Sequence, residues 1–135
     1  MSTRHVVRDT LVTLLAADTT SFNTVNGYAP LETFGATKIL NVYSKQTAHE
    51  FLSNDLNYAF YQYSLDFLAK RDNTTAAEDA IDAAAESIRS IMRANVSNVN
   101  WSNVQLESES EPYFATISGV PYRCERHSVK VKVIA

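Results

Sequence analysis

The stretch from Asn57 to Ala69, NYAFYQYSLDFLA, alternates without a break: Ala59, Tyr61, Tyr63, Leu65 and Phe67 hold one parity, and Tyr58, Phe60, Gln62, Ser64 and Asp66 hold the other. Side chains of an extended chain alternate between faces, so the run is predicted to be a strand with its odd face on the core. The even face begins aromatic and turns polar, which predicts that one end, where Tyr58 and Phe60 lie, is covered on both sides. A strand this apolar belongs inside a sheet, and the rest of the chain must supply its neighbours and a covering layer.

The covering layer is legible at two places. From Thr3 to Ala17, Val7, Leu11, Leu14 and Leu15 fall at i, i+4, i+7 and i+8, one stripe of an amphipathic helix. Thr75 and Glu78 form a T-x-x-E capping box ahead of a longer helix, where Ala77, Ile81, Ala84, Ile88, Ile91 and Asn95 recur at four- and three-residue steps. Acids come early in it and Arg89 and Arg93 come late, the order that suits a helix dipole. The small alanines let this helix lie close to a sheet. Its narrow stripe also resembles a coiled-coil seam, but it is too short for packing on a partner helix to be preferred over the chain's own sheet.

Further strands are predicted at Thr37 to Tyr43, after which Ser44 to Asp55 reads as a polar connection in which AHEFL makes at most one helical turn. Val104, Leu106 and Ser108 alternate with Gln105, Glu107, Glu109 and Glu111, a strand with an acidic face. Pro112 interrupts it, Tyr113 to Ile117 resumes the extended path, and Ser118-Gly119-Val120-Pro121 marks a turn. The last strand, Tyr122 to Ile134, carries Val129, Val131 and Val133 on one parity and Tyr122 and Cys124 on the other, so a β-bulge is expected near 126–128. The order predicts one α+β domain over residues 1–135: a sheet of about four strands, mainly antiparallel, with two helices packed on one face.

Composition narrows function mostly by exclusion. A length of 135 residues suits one core, and with only three prolines and three glycines the chain is neither disordered nor collagen-like. A net charge of −3 argues against affinity for nucleic acid through a broad basic surface. The apolar run from Leu11 to Ala17 is too short and interrupted to span a membrane, so the N-terminus reads as mature structure. The sequons at Asn73, Asn95 and Asn100 then have no route to glycosylation.

The search for chemistry is equally spare. His5, His49 and His127 lie in separate elements without metal-ligand spacing, and no cofactor is expected. Gly27, Gly35 and Gly119 are too far apart to cradle a phosphate. The single cysteine, Cys124, reads as a core thiol; as a nucleophile it would need His49 or His127 as base, and His127 falls on the opposite side of the strand. The conspicuous polar feature is the row Glu107, Glu109 and Glu111, with Lys130 and Lys132 showing the same period. The acid row faces solvent, a cation or basic partners, and if the strands pair it meets the lysines within one subunit or across subunits. The Asp18 to Gly35 loop carries Phe22, Val25, Tyr28, Leu31 and Phe34; loops of this length are often functional, and its apolar residues either pack back on the domain or meet a partner, with Phe22, Tyr28 and Phe34 the candidates for docking.

The layout resembles the tail terminator (tail completion) proteins of long-tailed bacteriophages, the family that includes the lambda tail terminator. The matching features are the helix Thr3 to Ala17, the strand ILNVY, the long strand NYAFYQYSLDFLA, the Thr75-capped helix ending SIRSIMRAN, and the closing GVPYRCERHSVKVKVIA. The 18–35 loop is a departure from the commoner family layout. The resemblance implies a virion protein that is not an enzyme. It assembles in the host cytoplasm as a ring, commonly a hexamer, on the head-proximal end of the tail tube. Its partners would be further copies of itself, the tail tube protein and a neck or head-completion protein, with DNA passing through the lumen. An acidic lumen would repel the phosphates and prevent sticking. Other readings are another neck or connector protein, a tail-tube-like protein, or a small enzyme or ligand-binding domain using Cys124. The interface candidates, Phe22, Tyr28, Phe34, Glu107, Glu109, Glu111, Lys130 and Lys132, come from the sequence and not from the family.

Overall fold

A computed structural model of the chain describes residues 3–33, 36–51, 57–72 and 74–134, without the side chains at 49–51, 57 and 74. Its elements run α1 (Arg4–Ala16), β1 (Thr24–Asn26), β2 (Lys38–Phe51), β3 (Asn57–Lys70), α2 (Thr74–Ala94), β4 (Asn103–Leu106), β5 (Glu111–Ile117) and β6 (Val120–Ile134). The class is α+β, with a mixed, mostly antiparallel sheet of six strands. The order is β1-β2-β3-β6, and the outer side of β6 carries β5 along its first half and β4 along its second. Among the described residues only β1, on β2, pairs in parallel.

Both helices cover the same face, the one to which the odd residues of β3 point. Thr3 caps α1 by accepting from the Val6 N–H (3.3 Å), and Val7, Leu11 and Leu15 are fully buried. In α2, Ala77, Ile81, Ala84, Ile88 and Met92 form the buried stripe. These residues share one core with Leu40 and Val42 of β2, Ala59 to Phe67 of β3, and Val129, Val131 and Val133 of β6. The α2 helix starts at Thr74, so Thr75 lies inside it and not at the cap; Glu78, expected to complete a capping box, instead accepts from Arg123 Nε (2.7 Å). After α2, Trp101 is buried and its Nε1–H donates to the Asn95 carbonyl (2.9 Å), which fixes the turn into β4.

The fold departs from the expected one at five further points. First, the 18–35 loop contains β1. Asp18 starts the loop by accepting from the N–H groups of Thr20 (3.2 Å) and Ser21 (3.1 Å), and it also accepts from Ser87 Oγ on α2 (2.5 Å), which holds the loop down. These hydrogen bonds, Ser87's first, hold the Asp18 carboxyl below the usual carboxylate range. Second, the expected connection 44–55 is mostly strand: β2 continues to Phe51 opposite β3, with a bulge at Lys45 between the Ser44 and Gln46 pairings. Residues 52–55 lie outside the described residues.

Third, β6 has no bulge. Its register with β3 runs unbroken from Lys70↔Tyr122 to Tyr58↔Ile134. The parity switch instead reflects two cores on two faces. Tyr122 and Cys124 point away from the helices into a small second core with Ile39 and Leu68, bordered by Ala36, Tyr113, Ala115, Ile117 and Val120. The 18–35 loop helps cover it: Tyr122 Oη donates to the Ala36 carbonyl (2.9 Å) and shares a 2.5 Å hydrogen bond with Thr33 Oγ1. Fourth, the doubly covered end of β3 is therefore the one with Ser64, Asp66 and Leu68, all buried, and not the one with Tyr58 and Phe60, which are half-buried.

Fifth, no acidic strand forms. β4 ends at Leu106, residues 107–110 belong to neither strand, and Glu111 begins β5. The hairpin joining β5 to β6 turns through Ser118 (φ 50°) and Gly119 (φ 79°), the left-handed pair a two-residue turn requires. No atom lies within 4 Å of a Cβ built on Gly119, so Gly119→Ala meets only backbone strain. It should lower stability in urea melts by about 1 kcal/mol; no change would contradict the assigned turn.

Candidate functional site

The face of the sheet away from the helices is open except over the second core. Cross-strand neighbours share a face, so the pairings Phe60↔Lys132, Gln62↔Lys130, Ser64↔Ser128 and Asp66↔Arg126 place all eight side chains there. Asn103 and Gln105 of β4 stand opposite Lys132 and Lys130 on the other flank.

At the centre of this face Asp66 is nearly enclosed and fully engaged. Arg126 donates to it twice, from Nε (2.9 Å) and Nη2 (3.2 Å), Tyr43 Oη donates at 2.6 Å and Ser64 Oγ at 2.8 Å. The hydrogen bond to Asp66 stabilises the guanidinium further and raises its pKa, while burial and then the same carboxylate raise that of Tyr43. The guanidinium carbon also lies 5.2 Å from the Tyr113 ring centroid. This network is a rigid, internally neutralised support and offers no free base.

Beyond it lies an aromatic and basic patch. The Tyr58 and Phe60 rings are 6.4 Å apart, and Lys132 Nζ sits 3.9 Å from the Tyr58 centroid and 6.0 Å from that of Phe60. Lys130 Nζ lies 5.1 Å from the Phe60 centroid. The rings hold the ammonium groups at the surface without neutralising them. Lys45, displaced by its bulge, joins them by donating to Ser128 Oγ (3.3 Å). Among the described residues none of these three lysines pairs with a carboxylate.

The other sequence candidates separate. Glu107, Glu109 and Glu111 are all exposed and form no ion pair among the described residues, so the pairing of an acid row with a lysine row inside one subunit does not occur. Gln105 and Asn103 occupy the positions where acids would have to stand. Phe22 is not a docking residue: it is buried, edge-on to Phe67 with centroids 5.8 Å apart, because Asp18 folds the loop onto α2. Tyr28 is 62% exposed and its neighbour Leu31 96% exposed, so the middle of the loop does present apolar surface. Phe34 lies outside the described residues.

Tyr58, Phe60, Lys45 and the Asp66–Arg126 pair were missed as site residues. The even-face aromatics and the period of the lysines were visible; only the β3–β6 register unites them. A second cation–π group, Phe114 between Arg71 (4.8 Å) and Arg123 (4.5 Å), lies on the other face by β5–β6 parity and braces the hairpin.

Cys124 is fully buried, and burial pushes its thiol up to about 11, only partly offset by a hydrogen bond with Tyr113. His127 faces the helix side, opposite to Cys124, with Nε2 3.0 Å from Glu125 Oε1; burial holds its pKa below the ordinary value, and the side chain of His49 lies outside those described. Because the folded thiol titrates above its unfolded value, its contribution to stability is complete below the ordinary thiol range and is lost as pH rises through about 11. A thiol reagent near neutral pH should therefore react with the native chain only as fast as it opens, and urea should accelerate the reaction; labelling at the rate of a free thiol would contradict this burial.

Among the described residues no group of three metal-ligating side chains converges. Among the described residues no helix is long and apolar enough to cross a membrane. No known family model matches the chain, and no curated protein matches its sequence.

Proposed function

We propose that the chain is a structural assembly subunit of the tail-terminator type, which forms a ring at the head-proximal end of a phage tail tube, ends tube growth and presents a surface to the neck. The observation that carries this reading is the layout of the sheet. Both helices lie on one face, and the other face keeps an open patch of Tyr58, Phe60, Lys130 and Lys132 beside an exposed acidic loop. Such a surface suits contacts between proteins, where aromatic residues and spread charge set affinity and register. The buried thiol at Cys124, with His127 on the opposite face, weighs against the alternative of an enzyme using that cysteine.

A tail-tube-like subunit is the nearest competitor, and such a protein polymerises through repeated, unblocked contacts. The long edge of β2 beyond its pairing with β1 is interrupted by the bulge at Lys45, a feature that blunts strand addition along an edge. This favours a closed assembly over open growth. Gold-labelled antibody against the chain should decorate the head-proximal end of phage tails and nothing else. Label along the shaft would assign it to the tube, and label at the distal tip or in no virion would overturn the proposal.

A further inference from the structure

We infer that the helix-free sheet face is the docking site for the acidic 107–111 loop of a second copy of this chain. The face offers three ammonium groups, Lys45, Lys130 and Lys132, none paired with a carboxylate among the described residues. The loop offers three exposed carboxylates, Glu107, Glu109 and Glu111, equally unpaired. The two sets are opposite in sign and both stand at the surface, so bringing them together is attractive.

The contact cannot be made within one copy by cross-strand pairing, because β4 fills the flank of β6 with Gln105 and Asn103. The chain's net charge of −3 and the acids beside the patch repel a phosphate backbone, so a second copy fits this face better than nucleic acid does. Tyr58 and Phe60 supply apolar area beneath the lysines, and the hydrogen-bonded Asp66–Arg126 pair keeps the floor of the site rigid. Loop and face adjoin in one copy, with Glu107 N–H on the Ser128 carbonyl (2.9 Å) and Glu111 opposite Arg126, so two copies can exchange loops about a two-fold axis or pass them head to tail, and the second arrangement closes into a ring when its rotation allows. The ring form rests on the assembly reading above; the contact itself does not.

The test is sedimentation velocity of the purified full chain at about 0.05 M and about 0.5 M salt, where screening lengths differ severalfold. The native chain should assemble at low salt and weaken at high salt. Lys130→Glu with Lys132→Glu should reduce association about a hundredfold, as should Glu107→Lys with Glu109→Lys and Glu111→Lys, because like charges then meet. The chain carrying all five reversals should assemble again, a recovery that a merely misfolded variant cannot show. Should a reversal unfold the chain by circular dichroism, the glutamine substitutions at the same positions give the same ranking with smaller losses.

A native chain that stays monomeric at low salt overturns the inference, as does assembly indifferent to either reversal, or a folded five-fold variant that stays apart. Loss of binding to a single-stranded oligonucleotide in the lysine variant, with assembly intact, would overturn it in favour of nucleic acid. If the contact stands but removal of the gene leaves tails unchanged, the contact is retained and the terminator reading fails.

Discussion

Phe67→Ala should lower the stability of the chain by about 4 kcal/mol, within the range for truncating a buried phenylalanine. Phe67 is fully buried in the last third of β3, on the face covered by the helices, and meets the edge of Phe22. Its loss leaves a cavity between the sheet and a loop whose anchor, the Asp18–Ser87 hydrogen bond, keeps the lining from collapsing freely. Against a total of about 5–15 kcal/mol, the change should bring the midpoint of thermal unfolding down by roughly 10–15 °C. A double-mutant cycle with Phe22→Ala should show a coupling of about 0.5–1.5 kcal/mol from the ring pair. A Phe67→Ala loss under about 1 kcal/mol would mean that the loop does not pack on β3 as described.

Asp66→Ala has the second largest expected effect, about 3 kcal/mol, because it strands a guanidinium and two hydroxyl donors together. The Asp66 side chain is 8% exposed, whereas that of Arg126 is 41% exposed, so water recovers part of the arginine's loss and the cost stays below that of a fully buried pair. Asp66→Leu combined with Arg126→Met should recover most of the stability, since it removes both charges and keeps the volume. Chemical denaturation of the three chains measures both claims. Equal destabilisation by the single and the double variant would show that side-chain volume, and not the ion pair, carries the site.

Elements with a strong local period were legible from the sequence alone. The odd face of β3 and the stripes Val7–Leu11–Leu15 and Ala77–Ile81–Ala84–Ile88 bury where their spacing puts them. What escaped depends on pairing with distant chain. β1 is three residues long in a stretch rich in Thr and Asn, and its parallel partner lies beyond the loop. The second half of β2 runs through Ser44, Lys45, Gln46 and Thr47, polar on both parities, and is held by its ladder to β3 more than by burial.

In β6 the residues were read correctly and the cause was not. A switch of apolar parity signals a bulge when a strand has one buried face, but here each half buries a different face. The acid row shows the reverse error: its period of two is real in the sequence, yet the chain leaves the ladder after Leu106 and only Glu111 returns to it. The candidate site was half legible. Lys130 and Lys132 announced themselves by period, whereas Tyr58 and Phe60 join them only through a register that spans most of the chain.

The proposed terminator role, and with it the proposed phage origin of the chain, is tested most directly by the tail-length distribution, by electron microscopy, in lysates from which the gene for this chain has been removed. The account predicts overlong tails without heads. Tails of normal length that fail to join heads, or unchanged infectious particles, would contradict it.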